Sequence, residues 1–190
     1  MNKHLEPVFK ILLLGLEKAE IDYWVYGGIA VAAFADKFIR DNRDVDIFVR
    51  EEDFNKTKLT LENICTKQEN TYLKECDLLK KGSYSRPKLE VKINRVERLS
   101  VVPVYLKDDS AVLVFGNGPK VFSNEILGKV ERNLSGYKFF TPSKKYIKEI
   151  FLHCFRYKKN WKTKENVRKD AKAILSSEEF EKYFSFNILP

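Results

Sequence analysis

The stretch YWVYGGIAVAAFADKFIRDNRDVDIFV, residues 23 to 49, decides the reading of the fold. Tyr23 to Tyr26 and Val45 to Val49 are rich in aromatic and β-branched residues and read as strands. Between them the pattern predicts a helix over Ile29 to Phe38, with Ala30, Val31, Ala33 and Phe34 packing it onto a sheet. Gly27 and Gly28 end the first strand and open that helix. Glycine lets the backbone approach a phosphate closely, and the free N–H groups of the helix start then face the anion. Alternate residues of a strand point to one face, so Asp44 and Asp46 project together. Two such carboxylates repel unless a cation sits between them, and oxygen ligands of this kind suit Mg²⁺. Asp46 is also embedded between Val45 and Ile47, where an aspartate usually has a partner. A phosphate cradle beside a divalent-metal clasp is a site for nucleoside triphosphates.

Outward from this core, Val8, Ile11, Leu12, Leu16 and Ala19 recur at helical spacing and predict a helix over Leu5 to Ala19. Glu52 to Asn63 reads as a helix returning over the sheet. Thr71 to Lys80 and Lys88 to Asn94 read as a hairpin around the turn formers of KGSYSRP. Leu99 to Tyr105 and Ala111 to Phe115 form a further strand pair joined by LKDDS. After GNGP the pattern fades until Tyr137 to Phe140. Thr141-Pro142 then supplies a cap and a first-turn proline, and the chain is helical in character from Ser143 to Ile174. The fold class is α/β (α+β): a small mixed sheet flanked by helices. The division is a core over 1–125 and a helical C-terminal segment over 126–190.

The chain has 190 residues, 44% of them hydrophobic, enough for a packed core. Its net charge of +8 favours anionic partners. Cys65, Cys76 and Cys154 form no CxxC pair and there are two histidines, which argues against thiolate metal sites and a disulfide framework. A reducing cytoplasm fits. VFKILLLGL is short and interrupted by Lys10, so it reads as an amphipathic helix and not a signal peptide. No stretch approaches the ~20 apolar residues that span a bilayer. His153 lies beside an apolar helix face and reads as a packing residue; His4 carries no signal.

The order strand, Gly27-Gly28, helix, Asp44-x-Asp46 resembles the nucleotidyltransferase superfamily that contains DNA polymerase β. Lincosamide and aminoglycoside nucleotidyltransferases are the most similar, with the minimal nucleotidyltransferases of toxin–antitoxin systems. The resemblance spans residues 20 to 95, and TPSKKYIKEIFLHCFR with VRKDAKAIL is similar to the helices that close such sites. It implies a Mg²⁺-dependent transfer of a nucleoside monophosphate from a nucleoside triphosphate to an acceptor hydroxyl, with release of pyrophosphate. Asp44 and Asp46 would hold the metals, two ions in number.

Two-metal phosphoryl transfer usually needs a third carboxylate, to hold the nucleophile-side metal ion or to accept a proton. In KLEVKINR, Leu89, Val91 and Ile93 share one face and Glu90, Lys92 and Asn94 the other, which makes Glu90 the candidate. It stands in the strand where the resembled family commonly carries aspartate; Asp77 is the competitor. The resemblance further implies that Gly27, Gly28 and Arg43 serve the nucleotide, with a lysine of the C-terminal helices, Lys148 or Lys169. Ile29 stands where many relatives have a hydroxyl, so phosphate binding must rest on backbone amides and distant cations. The acceptor stays open between a small-molecule antibiotic, an RNA 3′ end and a protein side chain. FRYKKNWK, which interleaves Phe155, Tyr157 and Trp161 with cations, permits RNA. A catalytically silent, nucleotide-binding member of the fold is the rival reading. Whether a second copy completes the acceptor pocket as a homodimer is also open.

Overall fold

Leu5, Val8, Leu12, Leu13 and Leu16 are all buried; residues 8 to 18 wind as one helical run against the helix Phe54–Cys65 and the strand Tyr137–Thr141. In the computed structural model, a wide π-helical stretch (Val8–Leu13) passes directly into α1 (Leu14–Lys18). Residues 2–81, 84–115, 118–156 and 164–184 are described, without the side chains of 77–86 and 156. The chain then enters β1 (Tyr23–Tyr26), buried at all four positions and so covered on both faces.

α2 (Gly27–Phe34) is a core helix: Ile29 to Ala33 are all buried, as a helix apolar on every side requires. It stops four residues before the predicted Phe38. Asp36 takes a left-handed backbone (φ +52°), which aspartate tolerates and which interrupts the helical ladder. β2 (Val45–Arg50) follows, then α3 (Phe54–Cys65) after a 3₁₀ turn. β3 (Thr71–Lys81), β4 (Tyr84–Ile93), β5 (Val96–Lys107) and β6 (Ser110–Phe115) extend the two predicted strand pairs at their ends. β7 (Gly118–Ser123) and β8 (Val130–Leu134) occupy the region where the sequence pattern fades, and β9 (Tyr137–Thr141) coincides with the segment where it returns.

Seven strands form one mixed sheet in the order β1-β2-β5-β4-β3, with β6 on the far half of β5 and β7 on β6. Among the described residues only the β2–β5 pairing is parallel. β8 and β9 pair apart as a hairpin. α4 (Lys144–Arg156), α5 (Glu165–Ile174) and α6 (Ser177–Phe184) complete the described chain. The Thr141 cap is not realised. Thr141 ends β9, its hydroxyl donates to the Pro142 carbonyl at 2.9 Å, and the helix starts at Lys144. His153 packs its ring 5.1 Å from that of Phe115, as its place beside the apolar face suggested. Tyr157, Trp161 and the cations between them lie outside the described residues. Among the described residues no helix is long and apolar enough to cross a membrane.

Candidate active site

Sheet register sets the site. Across β1, β2, β5, β4 and β3 the partners run Tyr26, Asp46, Ser100, Glu90, Lys74 in one row. Partners on neighbouring strands share a face, so Asp46 and Glu90 look out of the same side of the sheet. Two strand spacings, about 10 Å, separate their backbones. Ser100, buried between them, hydrogen-bonds Asp46. Asp44, two residues before Asp46, faces the same way.

The sequence placed Asp44 and Asp46 side by side, and their electrostatics follow from that. Burial, then the charge of Asp44, pushes the Asp46 carboxyl up to about 7. Burial and the Glu97 carboxylate also raise Asp44, while Arg43, Lys88 and Arg40 pull it down. An aspartate pair that holds a proton this tightly is a pair waiting for a cation. Among the described residues no three acids converge as a ready-made metal cage. Mg²⁺ does not need one: it keeps waters and takes one or two carboxylates together with substrate phosphates. The hard oxygen donors of Asp44 and Asp46 therefore fit it.

Glu90 is held differently. Lys88 reaches it at 2.9 Å and Lys92 at 3.7 Å. Partial burial would raise its carboxyl, but the Lys88 hydrogen bond and charge, with Lys92 and Lys74, outweigh it and hold it below the ordinary range. Lys88 also bonds Glu97 at 2.6 Å, and Glu97 receives Arg43 at 3.2 Å. Glu97, Lys88 and Ser100 are thus the site neighbours that the sequence reading missed. Ser100 was visible as a polar residue inside the apolar run LSVVPV, by the argument that singled out Asp46. Lys88 and Glu97 carried no local signal: a bulge between Val91 and Lys92 sets Glu97 opposite Lys92, and the Lys88 side chain reaches it from farther along β4. Of Asp77 only the backbone is described, opposite Pro87.

The diglycine turn abuts both the acids and a basic loop. Gly27 has φ +69°, and a Cβ there would lie 2.8 Å from Asp46 Oδ2. Gly28 would drive a Cβ to 2.1 Å from Arg40 Nη2 and 2.4 Å from Asn42 Oδ1. Tyr26 gives the start of α2 no side-chain cap, and the first N–H groups of a helix have no partner within it. Arg40 is pinned from behind by Asp170 of α5, through Nε to Oδ1 at 2.9 Å and Nη2 to Oδ2 at 2.8 Å. Arg43 is exposed and near Asp44 at 3.8 Å. Lys148 pairs with Glu179, and Lys169 with Glu165 one turn back at 2.7 Å. Either lysine reaches a phosphate only by exchanging its partner.

Gly27→Ala is expected to cost about 1–2 kcal/mol from the left-handed backbone alone. It should also displace the Asp46 carboxylate. A thermal melt and Mg²⁺–ATP titration check both, and wild-type affinity in the variant would contradict the cradle.

The diglycine turn opens α2, the Asp44-x-Asp46 strand lies beside it, and Glu90 stands in register with Asp46 two strands away. The family model for aminoglycoside-2''-adenylyltransferases matches residues 8–110, more than half of the chain, and the chain belongs to this family. It is a nucleotidyltransferase of the superfamily that its motifs resemble. No curated protein matches it. Among solved structures it is similar to the lincosamide antibiotic adenylyltransferase LnuA bound to lincomycin, with 24% identity, 89% of this chain and 94% of that chain covered, and a TM-score of 0.58. It is similar to ANT(2")-Ia in complex with adenylyl-2"-tobramycin, with 16% identity, 96% and 95% covered and a TM-score of 0.57. These two likenesses show the shared fold.

Proposed function

We propose that the chain transfers the adenylyl group of ATP to a hydroxyl of a small-molecule antibiotic and releases pyrophosphate. The row from Asp46 through Ser100 to Glu90, beside the diglycine turn, carries this reading. The two structural relatives, one bound to lincomycin and the other in complex with adenylyl-2"-tobramycin, support the acceptor class.

The triphosphate would lie on the uncapped N–H groups of α2, with Arg40 and the exposed Arg43 as its cationic neighbours. Mg²⁺ held by Asp44 and Asp46, with Glu90 toward a second ion, would neutralise phosphate charge. Glu90 would accept the proton of the attacking hydroxyl. The hydroxyl oxygen bonds to the α-phosphorus as the α–β bridging bond breaks, and pyrophosphate leaves with that electron pair. Lys88 keeps Glu90 ionised and so in the protonation state that this role requires. Catalysis of this type is largely positioning and charge compensation.

Labelled ATP would be incubated with lincosamides, aminoglycosides, total tRNA and cell protein. Label on an antibiotic supports the reading; label on tRNA or protein moves the acceptor to the toxin–antitoxin class. Tight Mg²⁺–ATP binding with label nowhere points to a silent member. Glu90→Gln is expected to lower kcat on the order of a hundredfold or more with the KM for ATP little changed. An unchanged kcat would remove Glu90 from the chemistry.

A further inference from the structure

The ten residues between α2 and β2 have no strand or helix to satisfy their backbone, yet Asn42 is only 3% exposed. Buried N–H and C=O groups need partners. Here they come from residues 2 and 4, ahead of the helical run over residues 8 to 18. The Asn2 side-chain amide donates through Nδ2 to the Arg40 carbonyl at 3.0 Å and accepts through Oδ1 from the Asn42 N–H at 2.6 Å. His4 Nε2 lies 2.7 Å from the Asn42 carbonyl, an acceptor, so the proton is on Nε2. Two side chains thus hold three backbone groups of the loop.

Asparagine suits its place twice over. It offers one donor and one acceptor at the spacing of two backbone groups, and it tolerates the left-handed backbone that Asn2 adopts (φ +61°). The loop so held is in contact with the diglycine turn, since Arg40 Nη2 and Asn42 Oδ1 fill the space where a Gly28 Cβ would go. Two residues on, it delivers Asp44 and then Asp46. Its height over the turn therefore sets both the phosphate cradle and the approach of the two acids.

We propose that Asn2 and His4 are positioning residues for nucleotidyl transfer, acting through the Arg40–Asn42 loop. The proposal rests on the function proposed above. Asn2→Gly deletes both amide hydrogen bonds while leaving the left-handed backbone free of strain. His4→Ala deletes the third bond, and His4→Gln can restore a donor near Nε2. Amide hydrogen exchange of residues 40–44 is read in nucleotide-free protein, and kcat and the KM for ATP in turnover.

The expected result is faster exchange confined to 40–44 in Asn2→Gly and His4→Ala. With it, kcat falls on the order of ten- to a hundredfold with KM within a few-fold, as a displaced reacting group requires. His4→Gln should recover most of the loss. Unchanged exchange through 40–44, a normal kcat despite fast exchange, or faster exchange throughout the molecule would each overturn the proposal. If the wild-type protein labels no acceptor, the proposed function fails by itself. The exchange comparison, which needs no turnover, then decides whether Asn2 and His4 hold the loop.

Discussion

Asp46→Asn should lower turnover on the order of a thousandfold, the scale of losing one charge-stabilising group in a closed site, while making the metal-free protein more stable. The two effects have one cause. Burial and Asp44 raise the Asp46 carboxyl to about 7, against about 3.9 in an unfolded chain. Between these values the folded protein holds a proton that the unfolded chain has released, so stability falls as pH rises from about 4 to about 7. Asparagine removes that loss along with the repulsion between the two acids.

Melting temperatures measured without metal at pH 4.5 and pH 8 should therefore diverge, with the variant gaining on the wild type at the higher pH. Mg²⁺ should close the gap by stabilising the wild type alone, as any ligand of the folded state does. A difference in melting temperature that is the same at both pH values would show that Asp46 is not the group under strain. A variant with wild-type turnover would remove it from catalysis.

Asp170→Ala carries the largest expected loss of stability, on the order of 3–5 kcal/mol, because it strands a buried guanidinium. The Arg40 and Asp170 side chains are 18% and 9% exposed. Burial raises the Asp170 carboxyl more than Arg40 lowers it, so the pair is not itself a strong source of stability. Its removal as a pair should be mild: Arg40→Met with Asp170→Leu is expected to melt close to the wild type, as buried pairs replaced by apolar residues often do. The double variant should still bind ATP poorly, since the cation at the diglycine turn is gone. Denaturant titration of the three proteins with ATP calorimetry checks this. A double variant as unstable as Asp170→Ala would show that the tie is needed for folding itself.

The fold was readable where period and punctuation agree. YWVYGG and DVDIFV gave strands with their faces, and KLEVKI showed which side Glu90 takes. β7 and β8 were not readable. They are short, and β8 (VERNL) spreads charge along a hairpin that packs beside the sheet instead of within it. The end of α2 was misjudged because Phe38 and Ile39 continue the apolar pattern, and only the backbone turn at Asp36 stops the helix. For the site, the acids on β2 were legible because local spacing fixes them. Lys88 and Glu97 were not legible, because β4–β5 register and a bulge between Val91 and Lys92 bring them into reach, whereas Ser100 had a local signal that was passed over. Arg40, Asn2 and His4 depend on contacts between distant parts of the chain. Arg40 and Asp170 are 130 residues apart, and Asn2 and Arg40 are 38 apart. No window of sequence contains them.

That separation along the chain has a consequence during synthesis. Asp44 and Asp46 leave the ribosome soon after Arg40, but the carboxylate that anchors Arg40 comes with α5, 130 residues behind it. Until then a nascent chain has its acids and its glycines but a loosely tethered phosphate loop. The Arg40 loop should take its final position abruptly, with the emergence of α5.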